Sequence, residues 1–111
     1  MKIILDPTRE KETILKTEKR IQKFPHARRD AGAGLIKALQ KLSLSSSDKL
    51  QVIVGPGSFA AIRTAVLIGN AVAWSTNCQL FAKTVHESEF HRVTKLQPFY
   101  TNTISIISPK K

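Results

Sequence analysis

The chain has 111 residues, enough for one compact core and too few for two full lobes with a cleft between them. Apolar residues make up 41%, a globular share that argues against wholesale disorder. Lys and Arg number 18 against 8 Asp and Glu, and the net charge of +10 suits an acidic or nucleic-acid partner without choosing between them.

The first third reads as three short strands. Ile3, Ile4 and Leu5 form an apolar run that stops at Asp6-Pro7, because proline cannot donate to a ladder. Thr13–Thr17 and Arg20–Phe24 follow, partly alternating, and the three together fit an antiparallel meander. A helix from Asp30 to Leu42 comes next, with Asp30 as its cap and Leu35, Ile36, Leu39 and Leu42 as its apolar stripe. Leu50–Val54 is a buried strand rich in β-branched residues. It runs into Gly55-Pro56-Gly57-Ser58 and a helix from Phe59 to Ser75, with Asn77 suited to a left-handed stop. Gln79–Ala82 reads as a strand, Glu87–Val93 as a short helix, and Ile104–Ile107 as a last extended segment.

Strand–helix–strand–helix–strand favours parallel pairing by right-handed crossovers. Joined to the meander, it gives an α/β fold with a five-stranded mixed sheet and flanking helices. That arrangement is similar to the half-domain of ribonuclease-H-like and actin-like (ASKHA) proteins. The longest apolar stretch, Phe59 to Trp74, contains Arg63 and Asn70 and is too short to span a bilayer. The opening MKIILDPTRE has too short an apolar run for a signal peptide. The single cysteine, Cys78, excludes an internal disulfide and a multi-cysteine zinc site and reads as a buried, inert thiol. The expectation is a cytoplasmic protein without membrane contact.

Val52–Trp74 is the most specific segment. Gly55 and Gly57 permit backbone angles closed to other residues, and Ser58 can cap the following helix. The turn reads either as a tight corner or as an anion site at a helix N-terminus. It has neither the Walker lysine nor GxGxxG spacing. Along the helix, Ala61, Ala65, Gly69 and Ala73 recur every four residues. Such a strip lets another helix approach closely, whether from a partner or from the same domain.

GPGSF, the small-residue helix and Arg63 resemble the TsaB family, the YeaZ or glycoprotease-like group, whose characteristic run is close to GPGSFTGLR. Gly55, Pro56, Gly57, Ser58, Phe59 and Arg63 match; Ala60 and Ala61 stand for Thr and Gly, and Ile62 for Leu. AGAGLIKALQKLSLSSSDKLQVIV is similar to the family's first helix, loop and incoming strand. MKIILDPT resembles its opening, with Asp6 kept and Pro7 in place of Thr, and PFYTNTISIISPKK resembles its closing tail. The resemblance implies a TsaB-like N-terminal actin-like lobe over residues 1–85, a short connector over 86–97 in place of a second lobe, and a C-terminal tail over 98–111.

It also implies a function. TsaB-like proteins are non-catalytic partners of an ATP-using enzyme, TsaD. With TsaE, the two help transfer a threonylcarbamoyl group to an adenosine beside certain tRNA anticodons. They join TsaD through the two helices of this lobe and can self-associate there. The partner face expected here comprises Leu35, Ile36, Leu39, Ala61, Ala65, Gly69 and Ala73, and Ala65→Trp is expected to block association without unfolding the sheet. The implied partners are a TsaD-like enzyme, a TsaE-like ATPase and tRNA through the complex, and a second copy of the chain. Gly55, Gly57 and Ser58 read as a degenerate phosphate-type loop, and no cofactor or tight ATP binding is expected.

Other constellations carry less. His86-Glu87 and His91 do not make a zinc motif, because histidines five apart fall on different helical faces. Ser58 lacks a GxSxG setting and an assignable base, so it reads as a cap. Arg28 and Arg29, with Lys19-Arg20 and Lys110-Lys111, could meet RNA phosphates. They give the rival reading, a stand-alone basic RNA-binding domain, although no aromatic is interleaved for stacking.

Overall fold

The computed structural model describes residues 1–100. Its elements are β1 (Lys2–Asp6), β2 (Glu12–Lys16), β3 (Ile21–Pro25), α1 (Ala31–Lys41), β4 (Lys49–Ile53), α2 (Phe59–Thr76), β5 (Gln79–Lys83) and β6 (His91–Val93). The strands form one sheet in the order β3-β2-β1-β4-β5-β6. β1 pairs parallel with β4, and β4 with β5; the β1–β2, β2–β3 and β5–β6 pairs are antiparallel. The expected Ile104–Ile107 segment and Lys110-Lys111 lie outside the described residues.

Two sequence expectations are corrected. The sheet has six strands, and the helix expected over Glu87–Val93 is a turn followed by β6. Glu87 closes that turn: its carboxylate accepts from the Thr84 N–H at 2.8 Å, and its carbonyl accepts from Lys83 Nζ at 2.9 Å. The chain then returns beside β5, with Val93 opposite Leu80. The ladder offered by β5 outweighs the weak helical spacing of Phe90 and Val93. Second, Asp30 makes no side-chain cap bond at α1. Its carboxylate instead accepts from Arg28 Nε and Nη2, each at 3.2 Å.

Period-two alternation puts one side of the sheet in the core. Ile3, Leu50 and Leu80 align across three strands, as do Leu5, Val52 and Ala82. Against them α1 brings Leu35 and Leu39, and α2 brings Ile62, Ala65, Val66, Ile68 and Gly69. Ser58 caps α2 by accepting from the Ala61 N–H, and Asn77 ends it at φ 61° with its N–H on the Ala73 carbonyl. Both follow the sequence reading.

Asn70 ties the last described segment to α2. Its Oδ1 accepts from the Leu96 N–H at 2.7 Å, and its Nδ2 donates to the Leu96 carbonyl at 3.1 Å. Leu96 is thereby seated in the core. Asn70→Ala should cost about 1–3 kcal/mol, because it strands two backbone groups at once. Urea denaturation checks this, with Asn70→Asp expected to lose less because it keeps the acceptor.

At the other end, Asp48 accepts from the Met1 amine at 2.8 Å and from the Ser45 N–H at 2.7 Å. The amine first, then the Ser45 N–H, hold its carboxyl below the usual carboxylate range. The folded state therefore binds this proton less readily than the unfolded state. The stabilisation is complete above the ordinary value near 3.8 and is lost as pH falls through the lowered folded value. Acid titration followed by circular dichroism should show Asp48→Asn lacking this part of the pH dependence.

Candidate functional site

Three loops converge where the sequence suggested a phosphate-type turn. The Phe99 N–H donates to the Val54 carbonyl and the Val85 N–H to the Gly55 carbonyl, each at 2.9 Å. Gly55 has φ +134°, and a Cβ there would stand 2.2 Å from the Phe99 carbonyl oxygen. A Cβ on Gly57 would stand 2.9 Å from the Thr8 Cα, so the turns after β1 and β4 are in contact. Asp6 is engaged by its own loop: it accepts from the Thr8 N–H and hydroxyl, and Arg9 Nε lies 3.5 Å away. Protein atoms thus occupy the space between the two turns. ATP titrated into the chain by calorimetry should give no micromolar binding; a saturable micromolar isotherm would refute this reading of the turn.

The expected partner residues separate into inner and outer sets. Leu35, Leu39, Ala65 and Gly69 are buried, Ala61 and Ala73 are half-buried, and Ile36 is 40% exposed. The small-residue strip serves the chain's own packing. A Cβ on Gly69 would meet Leu96 Cδ1 at 2.6 Å, with Val52 and Leu50 behind it, and a Cβ on Gly32 of α1 would lie 3.6 Å from the Thr64 methyl of α2. Tryptophan at Ala65 would therefore overfill the core, which corrects the expectation that Ala65→Trp leaves the sheet intact.

The outward side of α2 carries three large apolar side chains. Phe59 is 55% exposed, Leu67 61% and Trp74 86%. At 100° per residue the three fall within about 80° of one another. Ile62 and Val66 turn inward. Arg63 lies in the same arc and is exposed, the sequence signal for which side is wet; Asn70, also in that arc, is half-buried against Leu96. Phe59 stacks on Tyr100, ring centroids 4.7 Å apart. Trp74 stands beside an open groove of about 670 Å³ lined also by Asn77, Leu80 and Val93. Among the described residues these three are the large apolar side chains of α2 that stay more than half exposed.

The remaining candidates are placed as follows. Arg28 and Arg29 line a hollow of about 310 Å³ between the starts of α1 and α2, with His26 and Ser58. Arg28 is paired with Asp30. His26 is half-buried, its Nε2 2.9 Å from the Thr13 hydroxyl. His91 Nδ1 lies 3.9 Å from Glu87, and no three metal-ligating side chains cluster among the described residues. Cys78 is buried. No described helix is long and apolar enough to cross a membrane.

No family model and no curated protein matches the chain. Among solved structures it is similar to YeaZ from Pseudomonas aeruginosa at 21% identity and a TM-score of 0.51, over 75% of this chain and 43% of that one. An uncharacterized protein with similarity to peptidase YEAZ from Pseudomonas aeruginosa aligns at 21% identity and a TM-score of 0.49, over 75% and 42%. The chain spans less than half the length of either. At that identity the likeness speaks for architecture: the chain has a YeaZ-like fold, of the actin-like and ribonuclease-H-like kind expected from its sequence.

Proposed function

We propose that the chain is a TsaB-like binding subunit that holds a TsaD-like enzyme through the outward side of α2 and the exposed Ile36 of α1. The chemistry, threonylcarbamoyl transfer to an adenosine beside the tRNA anticodon, belongs to that partner. A TsaE-like ATPase and tRNA join through the complex. The single observation carrying this reading is the row Phe59, Leu67 and Trp74, each more than half exposed among the described residues, on a helix whose other side is used by the core. The YeaZ-like fold supports it, and so does the turn at Gly55–Ser58, which is packed against Thr8 and Phe99. The same row can accept a second copy of the chain, in competition with the enzyme.

The interface assigned here is thus Ile36, Phe59, Leu67 and Trp74, with Leu35, Leu39, Ala65 and Gly69 as the inner layer that holds the two helices in place. Titration of the purified TsaD-like enzyme of the same cells into the chain tests it. Saturable binding that weakens on charging Leu67 supports the reading; binding indifferent to that change removes it.

A further inference from the structure

Both described helices pack on one side of the sheet, and the other side is bare among the described residues. Every residue pointing to that second side is half-buried or exposed, whereas the core side is buried on all four central strands. The strand register fixes what the bare side presents. One row crosses all six strands: Ile21, Lys16, Ile4, Gln51, Phe81 and Arg92. An aromatic ring and an amide stand at its centre, with a cation toward each end. The adjoining rows add Lys2 beside Lys49, and Lys23 and Lys83. Lys49 Nζ lies 5.6 Å from the Phe81 ring centroid.

The acids carried by the strands of this side are engaged, while Glu18, between β2 and β3, lines a hollow with Lys2 and Lys49. Asp6 is held by Thr8 and Arg9, and Glu12 lies 4.0 Å from Lys23. Neither Lys16, Lys49 nor Arg92 enters an ion pair among the described residues. This is a cationic surface with one aromatic ring beside a hydrogen-bonding amide, on a chain of net charge +10.

We propose that the bare sheet face binds single-stranded nucleic acid, one base stacking on Phe81 beside Gln51 while the flanking Lys and Arg side chains take the phosphates. The chemistry fits term by term. Every base has a face that an aromatic ring accepts without sequence preference, and rows of cations along a surface follow a flexible phosphate backbone. The interleaved aromatic that the sequence did not show around Arg28 and Arg29 is supplied here by strand pairing. The inference does not rest on the partner reading, since it concerns the opposite side of the molecule.

The test is fluorescence anisotropy of a labelled oligouridylate with the chain alone, across a salt series. Lys16→Ala/Lys49→Ala/Arg92→Ala should weaken binding about tenfold or more and lower the log–log salt slope by about 2, at about 0.7 for each phosphate no longer neutralised. Lys37→Ala/Lys41→Ala/Arg63→Ala removes equal charge from the helical layer and should change affinity less than about threefold. Phe81→Leu should weaken binding about fivefold or more, and Phe81→Tyr should restore it. Equal losses in the two triple variants would reduce the effect to net charge and overturn the proposal. So would Phe81→Leu binding like the parent, or binding of polyglutamate or phosphatidylserine vesicles where the oligouridylate does not bind. Circular dichroism of each variant confirms that its fold is kept.

Discussion

Gly55→Ala should destabilise the chain by about 3 kcal/mol or more, the largest loss expected from removing no side chain at all. Two costs combine. A backbone at φ +134° is open to glycine and strained for alanine, at roughly 1–3 kcal/mol. The added Cβ would also fall 2.2 Å from the Phe99 carbonyl oxygen, a backbone atom held by the bond from the Phe99 N–H to Val54. Forcing such a contact costs another roughly 1–3 kcal/mol. Against a total stability of about 5–15 kcal/mol this is a severe change, and the thermal midpoint should fall by about 12 °C or more. Gly34→Ala is the contrasting case. It lies inside α1 with ordinary backbone angles, and its Cβ would meet the Phe24 ring at 3.5 Å. Gly34→Ala should stabilise by roughly 0.5–1 kcal/mol. Calorimetric melting of the two variants side by side separates a turn that requires glycine from a helix that merely contains one.

Leu67→Asp should abolish most partner binding while leaving the fold nearly unchanged. Leu67 is 61% exposed, so the substitution removes little from the core, and its stability effect should stay within about 1 kcal/mol. At the centre of an apolar contact the same change buries a carboxylate without a partner. A loss of about 2 kcal/mol or more, roughly thirtyfold in affinity, is the scale of such positions. Ala65→Trp should behave in the opposite way. Ala65 is 1% exposed beneath α2, so the indole would have to displace the core and the variant should unfold or melt far earlier. Circular dichroism separates the two if α2 is oriented as described: Leu67→Asp keeps its fold while losing binding, and Ala65→Trp loses the fold itself.

Much of this architecture was legible in the sequence because local signals and tertiary demands agree. The run Leu50–Val54, the cap Ser58 and the stop at Asn77 each follow from local stereochemistry, and the structure uses all three. What failed did so where the local signal was weak. Glu87–Val93 read as a short helix, but the edge of β5 offered a ladder, and Glu87 closed a turn that brought the chain back to it. Asp30 had the chemistry of a cap, yet Arg28 two residues away claimed its carboxylate.

The orientation of α2 was the harder problem. A helix apolar nearly all round leaves its facing undetermined by periodicity alone. The strip of small residues invited an intermolecular reading, yet Gly69 is small because Leu96 enters the space a side chain would take. Leu96 is distant in sequence, and Asn70, which positions it, read only as a polar interruption. The bare sheet face was likewise invisible beforehand. Lys16, Phe81 and Arg92 share a row only through the pairing register, and the strand carrying Arg92 was not foreseen.

Isothermal titration of the chain with the purified TsaD-like enzyme of the same cells tests the central claim most directly. The expected result is saturable binding for the parent chain, weakened roughly thirtyfold by Leu67→Asp, which keeps its circular dichroism. Absence of heat with a folded parent chain, or equal binding by the parent and Leu67→Asp, would contradict the account.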